Sequence, residues 1–580
     1  MKRMTKLIVA LLMTGFFFSG CKKMFDIKPQ DQLDHSQAYQ NVYDADAAVV
    51  GIYGKFMGLA DRYVILNELR GDLLDYTINA DEALRQISTH TVTSGNPYAS
   101  PRPFYELIVN CNDVLENFQV MKAQSRMTES EFNQRYSDIG ALRSFLYLQL
   151  GIHFGQVPYV TNSLKDIDAV KNVSNFPRLT FGVLLDSLIS FTEKLPFKDP
   201  YPIGTNLNLT VDGYQTQKFF VDKKCLLGDL YLWKNDYVKA ATYYRQVMEI
   251  ATGTAFGENY YTQYRIGGWG SSLRGHQLYY SRPGDATTLV YNDGWRLMFE
   301  QPFGSDNVNR EWIWALPFDS KFKPDNSLIK LFSPSGGNYL IKPSQEIMDL
   351  WDGETQLPAQ GLSIPYDARK LLSTTNMNGQ PVVMKYLYNY INYTNLSPFN
   401  LLTKNGKWFL YRQTHLHLRF CEAANRAGKY RLAWGLWNGG IASAYPATGS
   451  DVTPYHNTLW EPYPFNFDAR NSGGSGVPYY RADWYRNTGI RGRANVMNVS
   501  ISASDSLISI ENGLIKEGAL ENAFEGTRWP DLLRIALRRN DPSVIADKIY
   551  NKILKDGSGN AAAIRTKLMD PANWYLPFNW

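Results

Sequence analysis

The chain has 580 residues, 60 Lys or Arg against 55 Asp or Glu, and a formal charge of +5. That near-balance argues against nucleic-acid binding, which needs a strongly basic surface. Four cysteines in this length are neither a disulfide framework nor a metal knuckle.

The first element is a signal. Lys2, Arg3 and Lys6 precede twelve apolar or small residues, Leu7–Phe18. A membrane-spanning helix needs about 20, so the run reads as the apolar region of a secretory signal, with Ser19-Gly20 as its small-residue cleavage site. Phe18-Ser19-Gly20-Cys21 resembles the lipobox of bacterial lipoproteins, in which the cysteine becomes the lipidated N-terminus. An ordinary signal with a chance cysteine is the alternative. Cleavage before Cys21 removes three cations and no acid, leaving 57 basic against 55 acidic residues. Residues 1–20 are thus expected to be a lipoprotein signal peptide, and the polar residues 21–35 a tether.

Residues 36–255 read as helices. Ala45–Met57 and Phe104–Phe118 carry apolar residues at helical spacing. Ile139, Leu142, Leu146 and Leu150 mark one face of a helix that stops near Phe154-Gly155 and Pro158. Thr180–Leu195 gives another, ended by Pro196. After Lys218, Leu227-Gly228, Tyr231, Ala240 and Tyr244 fall at the intervals of a tetratricopeptide repeat, where small residues let two helices approach closely. Residues 405–440 hold a similar pair, with Ala433 and Trp437 repeating the Ala–aromatic spacing; two ordinary helical hairpins are the plainer reading. Cys111 and Cys225, among apolar helix residues, are expected to be buried free thiols.

Other stretches differ in kind. Residues 256–404 are rich in Gly, Pro, Asn and aromatics, with short strand-like runs such as Trp312–Leu316, and residues 441–505 form a similar aromatic insertion. Long loops in a compact protein are functional or disordered, and this aromatic density argues against disorder. Residues 506–580 return to helices. Aromatics are the compositional excess, with 38 Tyr, 29 Phe and 14 Trp; Tyr and Trp join an apolar face to a polar handle, which suits wet binding surfaces.

Catalytic chemistry is hard to find. Glu517, Glu521 and Glu525 recur every four residues on one predicted helical face, followed by Arg528 and Arg534. This spacing suits a structural ion-pair network, whereas a glycosidase needs two carboxylates facing each other across about 5–9.5 Å. Asp352 and Glu354 in WDGE, and Asp293 in NDGW, are turn signals. His415 and His417 point to different sides of a helix, and no His-Glu-x-x-His occurs, so no metal is expected. Gly473–Val477 lacks the last glycine of a nucleophile elbow. Gly557–Ala562 reads as a linker, Arg491-Gly492-Arg493 as a solvated turn, and no cofactor is indicated.

Several segments together resemble the SusD/RagB nutrient-binding lipoproteins of Gram-negative outer membranes. DADAAVVGIY matches the early Ala-rich helix of that family. ALRSFLYLQLGIHFGQVP matches through Arg143, Phe154, Gly155, Val157 and Pro158; LISFTEKLP and CEAANRAG match further elements. EGALENAFEGTRWPDLLR is the most specific, through Glu517, Glu521, Phe524, Glu525, Gly526, Arg528, Trp529, Asp531, Leu532 and Arg534, with Gly518 where the family has Arg and Asn522 where it has Leu. The resemblance implies a mostly α-helical scaffold of tetratricopeptide-like pairs with a loop-rich, aromatic-rich insertion carrying the ligand site. It also implies a non-enzymatic lipoprotein, anchored through Cys21 and exposed at the outer membrane, that binds an oligosaccharide as a lid over a SusC-like TonB-dependent transporter.

Sugar rings stack C–H faces on aromatic planes while their hydroxyls seek polar partners. Candidates for that contact are Tyr98 near Arg102, then Trp269, Tyr279, Tyr280 and Trp295, and from the second aromatic region Trp460, Tyr480 and Trp484. Peptide capture on the same scaffold is an alternative. A lipid-anchored all-helical glycoside hydrolase is a third, and needs two catalytic carboxylates near the aromatic loops.

Overall fold

A computed structural model of the protein describes residues 38–164, 176–248, 294–300, 311–357, 363–445, 460–467, 489–502 and 504–579, with the backbone alone at 294, 295, 297 and 442. The expected signal, tether and Cys21 lie outside these residues, as do Trp269, Tyr279, Tyr280, Tyr480 and Trp484.

Helix α1 (Val42–Met57) begins where the Asn41 side chain accepts the N–H groups of Tyr43 and Asp44, and Asp44 caps back on Asn41. Helices α2 (Arg102–Ala123) and α3 (Glu129–Phe154) pack as a pair. Thr128 and Glu131 form the capping box of α3, which ends at Gly155 with φ +72°. Helix α4 (Phe181–Glu193) lies against α3.

Helices α5 (Lys223–Trp233) and α6 (Tyr237–Met248) realise the repeat-like spacing. Gly228 lies under the Tyr244 ring, which occupies the place of any Cβ at 228, and the Tyr244 hydroxyl donates to Asp229 Oδ1 at 2.7 Å. Helices α7 (Gln413–Arg426) and α8 (Tyr430–Trp437) form the second pair, and α7 also packs on α6. The chain closes with α9 (Ser506–Glu521), α10 (Arg528–Arg539), α11 (Ser543–Asp556) and α12 (Ala561–Leu568). Of the linker read at Gly557–Ala562, residues 557–560 join α11 to α12, with Gly557 at φ +64°, whereas Ala561 and Ala562 already belong to α12.

Strands are few and short. Among the described residues they form five two-stranded antiparallel ribbons. Strand β1 (Leu74–Tyr76) pairs with β5 (Ile341–Pro343), and β2 (Gln156–Pro158) with β3 (Arg178–Thr180). The longest ribbon joins β4 (Trp312–Phe318) to β6 (Gly406–Arg412), with a register shift beyond Phe409. It is buried among helices. Phe56 of α1 stacks on Trp314 at 5.5 Å and lies 4.7 Å from Trp408. Each large side chain buried this way contributes roughly 1.5–3 kcal/mol. Cys111, Cys225 and Cys421 are buried free thiols; burial pushes the Cys111 thiol up to about 12.

A candidate ligand-binding surface and the charges beneath it

The three glutamates read from one helical face do form an ion network, but not with the arginines expected. Glu517 accepts from Arg369 at 2.8 Å and Arg491 at 2.7 Å. Glu521 accepts from Arg369 at 2.8 Å and pairs with Arg493. Glu525 lies past the end of α9 and accepts from Lys385 at 2.7 Å and Arg412 at 2.6 Å. Glu311 joins Arg412 to Arg493, and Asp367 takes the fork of Arg369. The solvated turn expected at Arg491-Gly492-Arg493 is therefore a buried helical turn whose guanidiniums enter the core. Glu354 completes this side, held by Arg491 and Lys516 at 2.5 Å each.

Arg528 and Arg534 serve other joints. Arg528 grips Asp72 at 2.5 and 2.7 Å, and Arg534 grips Glu422 at 2.6 and 2.9 Å. Phe524 and Gly526 have φ of +74° and +88°, a turn that aims successive N–H groups at one point. Glu68 fills that point: it accepts from Phe524 at 3.1, Gly526 at 2.7, Thr527 at 2.8 and Arg528 at 3.2 Å. Burial pushes Glu68 up to about 7, against the pull of those N–H groups. The motif that carried the resemblance is thus a structural clamp.

These charges offer no acid–base pair. Burial works to raise Glu521, yet Arg493, Arg369 and Arg412 hold it down to about 2. Arg491 and Lys516 likewise outweigh burial and keep Glu354 below the ordinary carboxylate range, and Asp352 is paired with Lys370 at 2.6 Å. Asp293 lies outside the described residues. His415 lies 3.5 Å from Glu525 and His417 2.6 Å from the Leu436 carbonyl, both with pKa lowered by burial. Among the described residues no group of three or more His, Cys, Asp or Glu is placed to hold a metal, and no helix is long and apolar enough to cross a membrane.

The surface is a different matter. Segment 460–467 is anchored by Phe465 and Phe467, both buried against Phe420 of α7 at 6.2 and 5.7 Å. The Arg245 guanidinium caps Phe467 at 3.7 Å. With those rings inside, Trp460 stands 61% exposed and Tyr463 45% exposed. Trp460 meets Tyr445 edge to face at 6.0 Å, and the guanidinium of Arg431 lies 4.2 Å over Tyr445. Tyr430, at the first turn of α8, is also exposed, and its neighbour Lys429 pairs with Glu461 at 2.6 Å. Aromatic faces beside paired charges match the needs of a sugar ring.

Of the residues singled out from sequence, Trp460 belongs to this surface. Tyr98 is half-buried on a turn whose carbonyls at Pro97 and Tyr98 accept from Arg62 at 2.9 and 2.6 Å. Arg102 is exposed and paired with Glu106 at 2.8 Å. Trp295 lies on the short helix Gly294–Glu300, described there by its backbone alone. Tyr430, Tyr445 and Tyr463 were not singled out. Tyr445 and Tyr463 lie in the aromatic-rich insertion, whereas Tyr430 reads from sequence as an ordinary repeat residue.

No protein-family model matches the sequence, and no curated protein matches it. Solved structures do. A SusD superfamily protein from Bacteroides vulgatus is 14% identical, with 93% of this chain and 96% of that one covered and a TM-score of 0.58. A laminarin-binding SusD-like protein is 16% identical over 91% and 96% of the two chains, with a TM-score of 0.52. Surface glycan-binding protein A from Bacteroides uniformis is 15% identical over 92% and 96%, with a TM-score of 0.54. The chain has the SusD-like, mostly α-helical fold of tetratricopeptide-like pairs that its motifs implied.

Proposed function

From that fold, we propose that the protein is a non-enzymatic cell-surface lipoprotein that captures an oligosaccharide and delivers it to a SusC-like TonB-dependent transporter of the outer membrane. The observation that carries the reading is the aromatic surface of exposed Trp460, Tyr463 and Tyr430 with half-buried Tyr445, on a fold shared with a laminarin-binding and a surface glycan-binding protein. Cys21 is the proposed site of the lipid anchor. Trp269, Tyr279, Tyr280, Trp295, Tyr480 and Trp484 are proposed to extend the aromatic surface, and Tyr98 with Arg102 to add a further contact. The burial of Glu354 between Arg491 and Lys516 speaks against its service as a hydrolase carboxylate.

The test is a glycan and peptide binding screen on the purified protein, followed by calorimetry on Trp460→Ala. A glycan is expected to bind without being cleaved, and loss of one central aromatic anchor is expected to weaken it about tenfold. Unchanged affinity in Trp460→Ala removes that surface from the site. Release of product overturns the non-enzymatic reading, and capture of peptides in place of glycans transfers the surface to peptides.

A further inference from the structure

A second concavity lies away from segment 460–467, where the β2–β3 ribbon meets the C-terminal segment. Its volume is about 470 Å³, within the roughly 300–1,000 Å³ range of small-molecule sites. Phe154, Phe181, Tyr575 and Phe578 supply aromatic walls, and Gln156 and Arg178 are the long polar side chains at the rim.

The cleft is preformed. The Leu576 N–H donates to the His153 carbonyl at 2.8 Å, and Arg70 donates to the Trp574 carbonyl at 2.7 Å, so the last residues are pinned. Gly155, at φ +72°, makes room for the Tyr575 ring, which stands 2.9 Å from where a Cβ would be. Phe578 packs edge-on against Phe154 at 5.6 Å and Tyr105 at 6.1 Å.

Its charge is one-sided. Arg178 is exposed and lies 4.5 Å over the Phe578 ring. Among the described residues it makes no ion pair and no carboxylate lines the cleft. A guanidinium held over an aromatic face by its central carbon still has N–H donors to offer, and those donors match a carboxylate in a bidentate fork. A neutral sugar leaves that cation without a counter-charge.

We infer that this cleft is a second sugar-binding site, selective for a ring that bears a carboxylate, such as a uronic acid. Arg178 takes the carboxylate and the aromatic walls take the C–H face of the ring. The inference rests on the glycan-binding reading above but uses different residues.

Calorimetry on the full chain tests it, with trigalacturonate, trimannuronate and triguluronate as probes, the methyl ester of each as its neutral counterpart, and an acetylated tripeptide with a free carboxylate. At least one acid trimer is expected to bind tenfold or more tighter than its ester, since hydrogen bonds to a charged group are the stronger ones. Arg178→Gln, an exposed substitution, should erase that preference, and Trp460→Ala should leave it intact. Equal binding of acid and ester, acid binding that survives Arg178→Gln, or no uronate binding overturns the inference. Arg178-dependent binding of the tripeptide alone overturns it in favour of peptides. Neutral glycans bound through Trp460 without any Arg178-dependent acid binding sink this inference only; a protein that binds no glycan of either kind sinks the broader reading too.

Discussion

Glu521 sits between three guanidiniums with no access to water. Removing one member of a buried ion network strands the others and costs about 3–5 kcal/mol, so Glu521→Gln should lower the urea midpoint sharply at pH 7. The pH dependence has a definite sign. The folded carboxyl is held at about 2, below its ordinary 4.5, so its contribution is complete above pH 4.5 and is lost as the pH falls toward 2. The span is worth about 3 kcal/mol. The gap between wild type and variant, read from urea melts at pH 7, 4 and 3, should narrow across that window; a constant gap would mean the charge does nothing. This network was half legible in the sequence. The every-fourth-residue spacing of Glu517 and Glu521 announces a shared face, but Arg491 pairs with Glu354 at a separation of 137 residues and Arg369 with Glu521 at 152. A charged triplet read locally looks solvated, because nothing near it in the chain reveals its counter-ions.

The helical hairpins rest on glycines with different duties. Gly228 of α5 lies under Tyr244 and Gly513 of α9 under Trp437, each where a Cβ has no room. Gly228→Ala and Gly513→Ala should each cost about 1–3 kcal/mol by overpacking. Gly518, also in α9, has nothing closer to its Cβ position than Asp531 Oδ2 at 3.9 Å. Gly518→Ala should therefore raise the melting temperature, since alanine gains up to about 1 kcal/mol over glycine in a helix interior. Thermal melts of the three variants decide it, and destabilisation by all three would contradict the packing described. The α5–α6 pair was readable because Gly228, Ala240 and Tyr244 sit close in sequence and act on one another. The partner of β4 was not: Trp312–Leu316 reads as strand-like, but β6 is nearly ninety residues beyond β4, and pairing over such distances leaves no local periodicity.

For the whole molecule, the proposed attachment hangs on one residue, Cys21. Cys21→Ser should move the protein from the membrane fraction to the soluble one while leaving glycan affinity untouched; a variant that stays with the membrane would relieve Cys21 of that role. The binding surface was only partly legible. Trp460 stood out because large aromatics in Pro-rich loops are conspicuous, but Tyr430 opens α8 and Tyr445 ends the short helix Ile441–Ala444, and only the folded chain brings Tyr445 against Trp460. The Glu68 cradle has a consequence in time. Glu68 is synthesised 456 residues before Phe524, an interval of roughly 20–90 s at ordinary elongation rates. Throughout it Asp72 lacks Arg528, which follows 456 residues later, and Arg70 lacks Trp574, which follows 504 later. A chain in which those sockets are still empty lacks the joints that tie residues 68–72 to residues 524–574, so this part of the scaffold locks only once both segments have been made.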